Sequence, residues 1–108
     1  MSNFLTRVQT LILRGEVRLS LHGFRELAAD DIVLDDIIAS VENAIMIEEN
    51  LSFAKGPCVL VLQRDRENRP VHVLWGIPNE QSTPATLITA YRPSPERWFE
   101  GFMRRRKR

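Results

Sequence analysis

Apolar residues recur at helical spacing from the start of the chain. In SNFLTRVQTLILRG, Phe4, Val8, Leu11 and Ile12 share one face, Ser2 or Asn3 can cap the start, and Gly15 can end the helix. EVRLSLH then alternates Val17, Leu19 and Leu21 against Glu16, Arg18, Ser20 and His22, which is the period of a short strand. HGFRELAADD reads as a short helix. In LDDIIASVEN, Leu34, Ile37, Ile38 and Val41 fall at i, i+3, i+4 and i+7, the stripe of an amphipathic helix. Asp35 and Asp36 sit in its first turn, where the helix dipole favours carboxylates. AIMIEEN follows as a strand.

The second half is β-rich. CVLVLQRD and PVHVLWGI are separated by RENR, and ATLITAY follows the polar loop PNEQSTP. The first two runs predict a hairpin. A turn centred between Glu67 and Asn68 pairs His72 with Gln63, Val73 with Leu62 and Trp75 with Leu60. One face then carries Cys58, Leu60, Leu62, Val73, Trp75 and Ile77, and the other is mixed; a one-residue slip would mix the two faces. SPERWFEGFMRRR predicts a closing helix, with Ser94 as its cap, Pro95 at its first position and Trp98, Phe99 and Phe102 as its packing stripe. The fold expected is α+β: N-terminal helices on one face of a mostly antiparallel sheet of about four strands, then a C-terminal helix.

A chain of 108 residues, 44% hydrophobic and 27% charged, fits one globular domain. We set the domain at residues 1–103 and a basic tail, RRRKR, at 104–108. The overall charge of +1 hides this division. Residues 1–103 hold ten Lys/Arg against fourteen Asp/Glu, a net −4, which is not the basic stripe of a general nucleic-acid binder. No apolar run approaches the roughly 20 residues of a membrane span, so no membrane partner is expected. MSNFLTRVQTLILRGEVRL lacks the pattern of a signal peptide, so a cytoplasmic location is expected. Cys58, the single cysteine, reads as a buried, inert thiol. One Cys and two distant His suggest no metal site, no Gly-rich phosphate loop is present, and no cofactor is expected.

LSLHGFREL, ADDIVLDDIIASVENAIMIEE, KGPCVLVLQRD with RPVHVLWGIP, and LITAYRPSPERW together resemble the DUF4258 family of small bacterial proteins, over roughly residues 17–104. That family is similar to the RelE-like toxins of toxin–antitoxin systems, including the BrnT and MqsR types. The resemblance implies a RelE-like fold, a toxin that cuts RNA without a metal, and an antitoxin partner of zinc-finger or helix-turn-helix type. Two departures stand out. Relatives carry His-x-x-x-Arg where His22 is here followed by Arg25 and then Glu26, and the toxins tend to be basic where this body is acidic.

Metal-independent RNA cleavage needs a base for the 2′-hydroxyl, an acid for the leaving 5′-oxygen, and cations for the phosphate. With the resemblance, His22, His72 and Tyr91 become the candidate catalytic residues. Arg25, Arg64 and Arg92 become candidate phosphate-binding residues. Most also have a plainer role. His22 can cap its helix or pack between helix and sheet, His72 can bond Gln63 under a neighbouring element, and Tyr91 can pack on Trp98. Arg92 can be solvated, Arg64 can be a turn-flanking charge, and the tail can contact phosphates, dock an acidic partner or stay in solvent. The competing function is a non-catalytic module that binds a protein or RNA.

Overall fold

The helical and strand periods of the sequence become three α-helices and a five-stranded sheet among the residues described, 3–99 and 101–105, in a computed structural model. The helices are α1 (Phe4–Leu13), α2 (Leu21–Ala29) and α3 (Leu34–Ser40), the last running into a 3-10 turn at Val41–Asn43. The sheet strands are β1 (Val17–Leu19), β2 (Ile45–Asn50), β3 (Cys58–Arg64), β4 (Pro70–Gly76) and β5 (Ala85–Tyr91). They lie in the order β1-β5-β4-β3-β2. Strands β2 to β5 form an antiparallel meander, and β1 joins its edge parallel to β5. The fold is thus α+β, with a mixed sheet of five strands rather than about four. The fifth is the short EVRLSLH strand, which finds its partner in Ala85–Leu87.

Helix and sheet patterns meet in one core. Phe4, Val8, Leu11 and Ile12 of α1 are buried, with Leu27 of α2, and Ile37 and Val41 from α3 and its 3-10 turn. They pack on Val59 and Val61 of β3, Val71, Val73 and Trp75 of β4, and Leu87 of β5. Burying each such Val or Leu side chain contributes about 1.5–3 kcal/mol relative to leaving it in water. The α2 helix instead runs beside β5, where β1 ends. Its cap Ser20 accepts from Gly23 N–H at 2.8 Å and donates through Oγ to the Ile88 carbonyl at 3.0 Å. Gly23 permits that approach, since a Cβ there would lie 2.6 Å from the Leu87 carbonyl oxygen.

The hairpin register differs by one residue from the expected one. Leu62 faces His72, Val61 faces Val73, Val59 faces Trp75, and Gln63 faces Val71. The turn decides this. Asp65 N–H donates to the Arg69 carbonyl at 3.0 Å, Asn68 N–H donates to the Asp65 carbonyl at 2.9 Å, and Asn68 has φ 63°. That is a three-residue loop closing through a left-handed residue, a role asparagine accepts. Cys58, Leu60 and Leu62 therefore lie on the face away from the helices, with His72 and not with Trp75. Gln63 lies on the helix side: its Nε2 donates to the Ile37 carbonyl at 2.7 Å and to Ser40 Oγ at 3.0 Å, and its Oε1 accepts from Trp75 Nε1 at 2.8 Å.

The expected closing helix does not form. Ser94 starts a single turn, its carbonyl accepting from Arg97 and Trp98 N–H. The chain then makes a two-stranded ribbon of β6 (Trp98–Phe99) and β7 (Arg104–Arg105). Gly101 and Phe102 both take positive φ, 67° and 70°, which reverses the chain where a helix would continue. Burial of Trp98, 6% exposed, against the sheet outweighs the helical spacing read in the sequence. The ribbon includes Arg104 and Arg105 of the basic tail. Arg106, Lys107 and Arg108, with the cap candidate Ser2, lie outside the described residues.

Candidate functional site

His72 projects from β4 away from the helices, as strand parity requires, but not into solvent. It is fully buried. Tyr91, its cross-strand partner on β5, places its hydroxyl 3.2 Å from His72 Nδ1. The Phe102 carbonyl lies 2.8 Å from Nε2, and Trp98 meets the imidazole edge-on at 4.3 Å between centroids. A carbonyl only accepts, so Nε2 carries a hydrogen; in the neutral ring Nδ1 then accepts from Tyr91 O–H. Two of the three catalytic candidates, His72 and Tyr91, are thus together, under the C-terminal ribbon, with both ring nitrogens of His72 engaged. Gln63, the expected neighbour of His72, is on the opposite face of the sheet.

The three arginine candidates do not converge on this pair. Arg92 is wound into the protein. Its backbone N–H donates to Asp30 Oδ2 at 2.9 Å, its Nε to the Asp30 carbonyl, its Nη2 to the Asp31 carbonyl, and its Nη1 to Asp65 Oδ2 at 3.0 Å. Asp65 is the hub. It also accepts from the backbone N–H groups of Glu67 and Arg69, each at 2.9 Å, and from Arg69 Nε at 3.0 Å. Burial pushes its carboxyl upward, but these four donors outweigh that and hold it below the usual carboxylate range. Arg64 is exposed at the hairpin end, where its Nη1 donates to the Asn68 carbonyl at 3.3 Å. Arg25 is exposed on α2.

His22 is also on α2, exposed, with Nε2 3.2 Å from Glu26 Oε1 one turn on. It lies away from the His72–Tyr91 pair, beside a hollow at the other end of β4. Gly76, which lines the hollow beside His22, is four residues along β4 from His72, about 13 Å at strand spacing. That hollow is a groove of about 400 Å³, bounded by Arg18 of β1, His22 of α2, Phe53 and Lys55 of the β2–β3 loop, and Thr86 and Ile88 of β5. A second hollow adjoins it across Phe53, with Glu48, Glu49, Asn50, Cys58, Leu60 and Leu74 around it. Cys58 is buried, as expected. Burial raises its thiol above the ordinary value, and the charge of Glu48 adds to the effect. Among the described residues, no three His, Cys, Asp or Glu side chains group so as to hold a metal ion, and no helix is long and apolar enough to cross a membrane.

A family model described as "Domain of unknown function (DUF4258)" matches residues 19–92. The chain belongs to this family. No curated protein and no solved structure matches it. The DUF4258 match takes in all six candidates, His22, Arg25, Arg64, His72, Tyr91 and Arg92, and stops short of the ribbon that covers His72. Within the DUF4258 fold, sequence reasoning missed Phe53, Lys55, Thr86 and the hub Asp65. Phe53 and Lys55 had a signal, an aromatic residue and a cation in the loop LSFAKGP between two strands. Arg18 had one too, as the polar position of a short strand. Thr86 and Asp65 had none, because their environment is made by residues distant in the chain.

Proposed function

We propose that this DUF4258 domain is a toxin-like protein of a bacterial toxin–antitoxin type system that works on RNA by binding it at the groove beside His22. One observation carries the reading: on a body with a net charge of −4 over residues 1–103, the groove at His22 is lined by Arg18, Lys55 and His22, and of these only His22 meets a carboxylate among the described residues, Glu26 at 3.2 Å. Low-dielectric walls lined by one sign of charge attract the opposite sign, and the RNA backbone supplies it. The resemblance to RelE-like toxins adds support from the sequence side, since such proteins hold RNA on a sheet face. Cleavage is the second reading, favoured by the contact between His72 and Tyr91. That pair works on RNA only with the ribbon lifted, which is why binding is the stronger reading.

The test is polarisation of a labelled single-stranded RNA titrated with the pure protein, with RNA integrity followed on gels. Saturable, salt-sensitive binding with intact RNA is expected, and absence of binding would sink the proposal. Cutting abolished by Tyr91→Phe, which keeps the packing, would replace it with the endoribonuclease reading. Induced expression in bacteria tests the toxin part. Growth arrest, relieved by a co-expressed product of an adjoining reading frame of zinc-finger or helix-turn-helix type, supports a toxin–antitoxin pair, and unimpeded growth overturns it.

A further inference from the structure

The groove has features that a charged surface patch does not require. Arg18, Thr86 and Gly76 form one row across β1, β5 and β4, in direct register. The middle residue, Thr86, is only 8% exposed, and among the described residues its Oγ1 is the buried side-chain polar atom that has no hydrogen-bond partner. A buried hydroxyl without a partner costs about 1–3 kcal/mol, so its position beside the hollow calls for a polar group arriving from outside. Gly76 carries no side chain, and the Ile88 side chain and the Pro57 carbonyl take up the space beside it, 2.7 Å and 3.2 Å from where a Cβ would lie. Arg18 and Lys55 line the same hollow, and no carboxylate lies within ion-pair distance of either among the described residues. Phe53, 43% exposed, forms one wall with its ring available to solvent.

We infer that this groove is a site for one nucleotide unit of single-stranded RNA, with the phosphate held by Arg18, Lys55 and His22, the base against Phe53, and Thr86 Oγ1 bonded to the sugar–phosphate. The inference rests on the RNA-binding reading above. A hollow of about 400 Å³ is at the small end of ligand sites and suits a single nucleotide, not a duplex. Stacking on an aromatic side chain requires an unpaired base, which selects single strands. Two cations and a histidine against one phosphate supply affinity that falls with salt. The adjoining hollow beyond Phe53 carries Glu48 and Glu49 and repels a second phosphate, so the strand is expected to leave the groove toward the His22 side.

The experiment uses the full chain and two kinds of probe, a labelled single-stranded RNA octamer and free nucleoside monophosphates, with inorganic phosphate alongside. Arg18→Ala and Lys55→Ala are each expected to weaken octamer binding several-fold and to reduce its salt slope by about one. Phe53→Ala is expected to weaken it about tenfold. Thr86→Val is expected to weaken it without lowering the melting temperature, because valine fills the same space and removes an unpartnered hydroxyl. Nucleoside monophosphates should perturb the amide signals of Thr86, Gly56 and Gly76 more strongly than inorganic phosphate does. Wild-type octamer binding by all four variants overturns this site while leaving RNA binding elsewhere on the protein intact. No octamer binding by the wild-type protein removes both. Equal effects of phosphate and nucleotides overturn the base contact, and equal displacement of the octamer by an acidic peptide at the same ionic strength overturns RNA as the occupant.

Discussion

Replacing Asp65 with asparagine tests the tie between the hairpin turn, Arg92 and the loop after α2. Asp65 Oδ1 takes the two backbone N–H groups of the turn, and Oδ2 takes Arg69 Nε and Arg92 Nη1. Asparagine can keep its oxygen toward the backbone, but then turns an N–H₂ group toward two guanidiniums. Hydrogen bonds to a charged partner are worth about 1.5–3 kcal/mol each. Arg69 is half-exposed and can turn to water, whereas the Arg92 side chain is 25% exposed and fixed by Asp30 and Asp31. Asp65→Asn should therefore cost about 2–4 kcal/mol, a large part of the roughly 5–15 kcal/mol typical of folded domains. Urea unfolding at neutral pH measures it. The effect also has a pH signature. The folded carboxyl titrates below its unfolded value of about 3.9, so its contribution is complete above that pH and is lost as pH falls through the lower folded value. The gap between wild type and variant should narrow below about pH 4 as wild-type Asp65 takes up its own proton. A gap under about 1 kcal/mol at pH 7, or one of equal size at pH 7 and pH 3, would refute the charge-based account.

Gln63→Leu leaves Trp75 Nε1–H without its acceptor and the Ile37 carbonyl with only the longer bond from Ser40 Oγ, and should cost about 1–3 kcal/mol. The melting temperature should fall by several degrees, and an unchanged value would show that the buried amide is dispensable. At Asn68, with φ 63°, glycine should be tolerated and valine should cost about 1–2 kcal/mol in urea unfolding. Cross-strand backbone NOEs should still pair Leu62 with His72 in the glycine variant; a pairing of His72 with Gln63 would contradict the turn argument. Cys58, buried and with its thiol raised, should react slowly with iodoacetamide in the folded protein and rapidly in urea, and fast labelling of the folded protein would contradict its burial.

Periodicity identified each element of the domain up to Tyr91, because both repeats, 3.6 and 2, leave their mark wherever one face is buried and the other is wet. It failed where that contrast disappears. CVLVL is apolar on both faces of β3, since Val59 and Val61 meet the helices while Leu60 and Leu62 are covered from the other side. Face matching then cannot select a register. Asn68 could have, because only a left-handed residue closes a three-residue loop between Asp65 and Arg69. The closing helix failed for a related reason. SPERW carries a sound helix start, yet Gly101 lies within the proposed span, and the pull of Trp98 toward His72 is invisible without the tertiary structure. Of the candidate site, the proximity of Tyr91 to His72 followed from neither motif nor spacing. It depends on the register between β4 and β5, which shifts by a bulge between Leu74 and Trp75. Arg92 looked like a surface cation because the carboxylates and carbonyls that hold it come from two segments distant in the chain, Asp30–Asp31 and Asp65.

The parallel edge strand has a bearing on the order in which the molecule is made. Val17 pairs with Ala85, 68 positions later in the chain. The β3–β4 hairpin spans a short turn and can close in microseconds once it has left the ribosome, whereas translation proceeds at only about 5–20 residues per second. For several seconds, then, the meander can begin to assemble while β1, already synthesised, still lacks the strand it hydrogen-bonds. The amides of the first-made strand should accordingly be the last to gain protection from solvent exchange on a stalled nascent chain. They should appear protected only in stalled chains whose exposed length reaches beyond Tyr91.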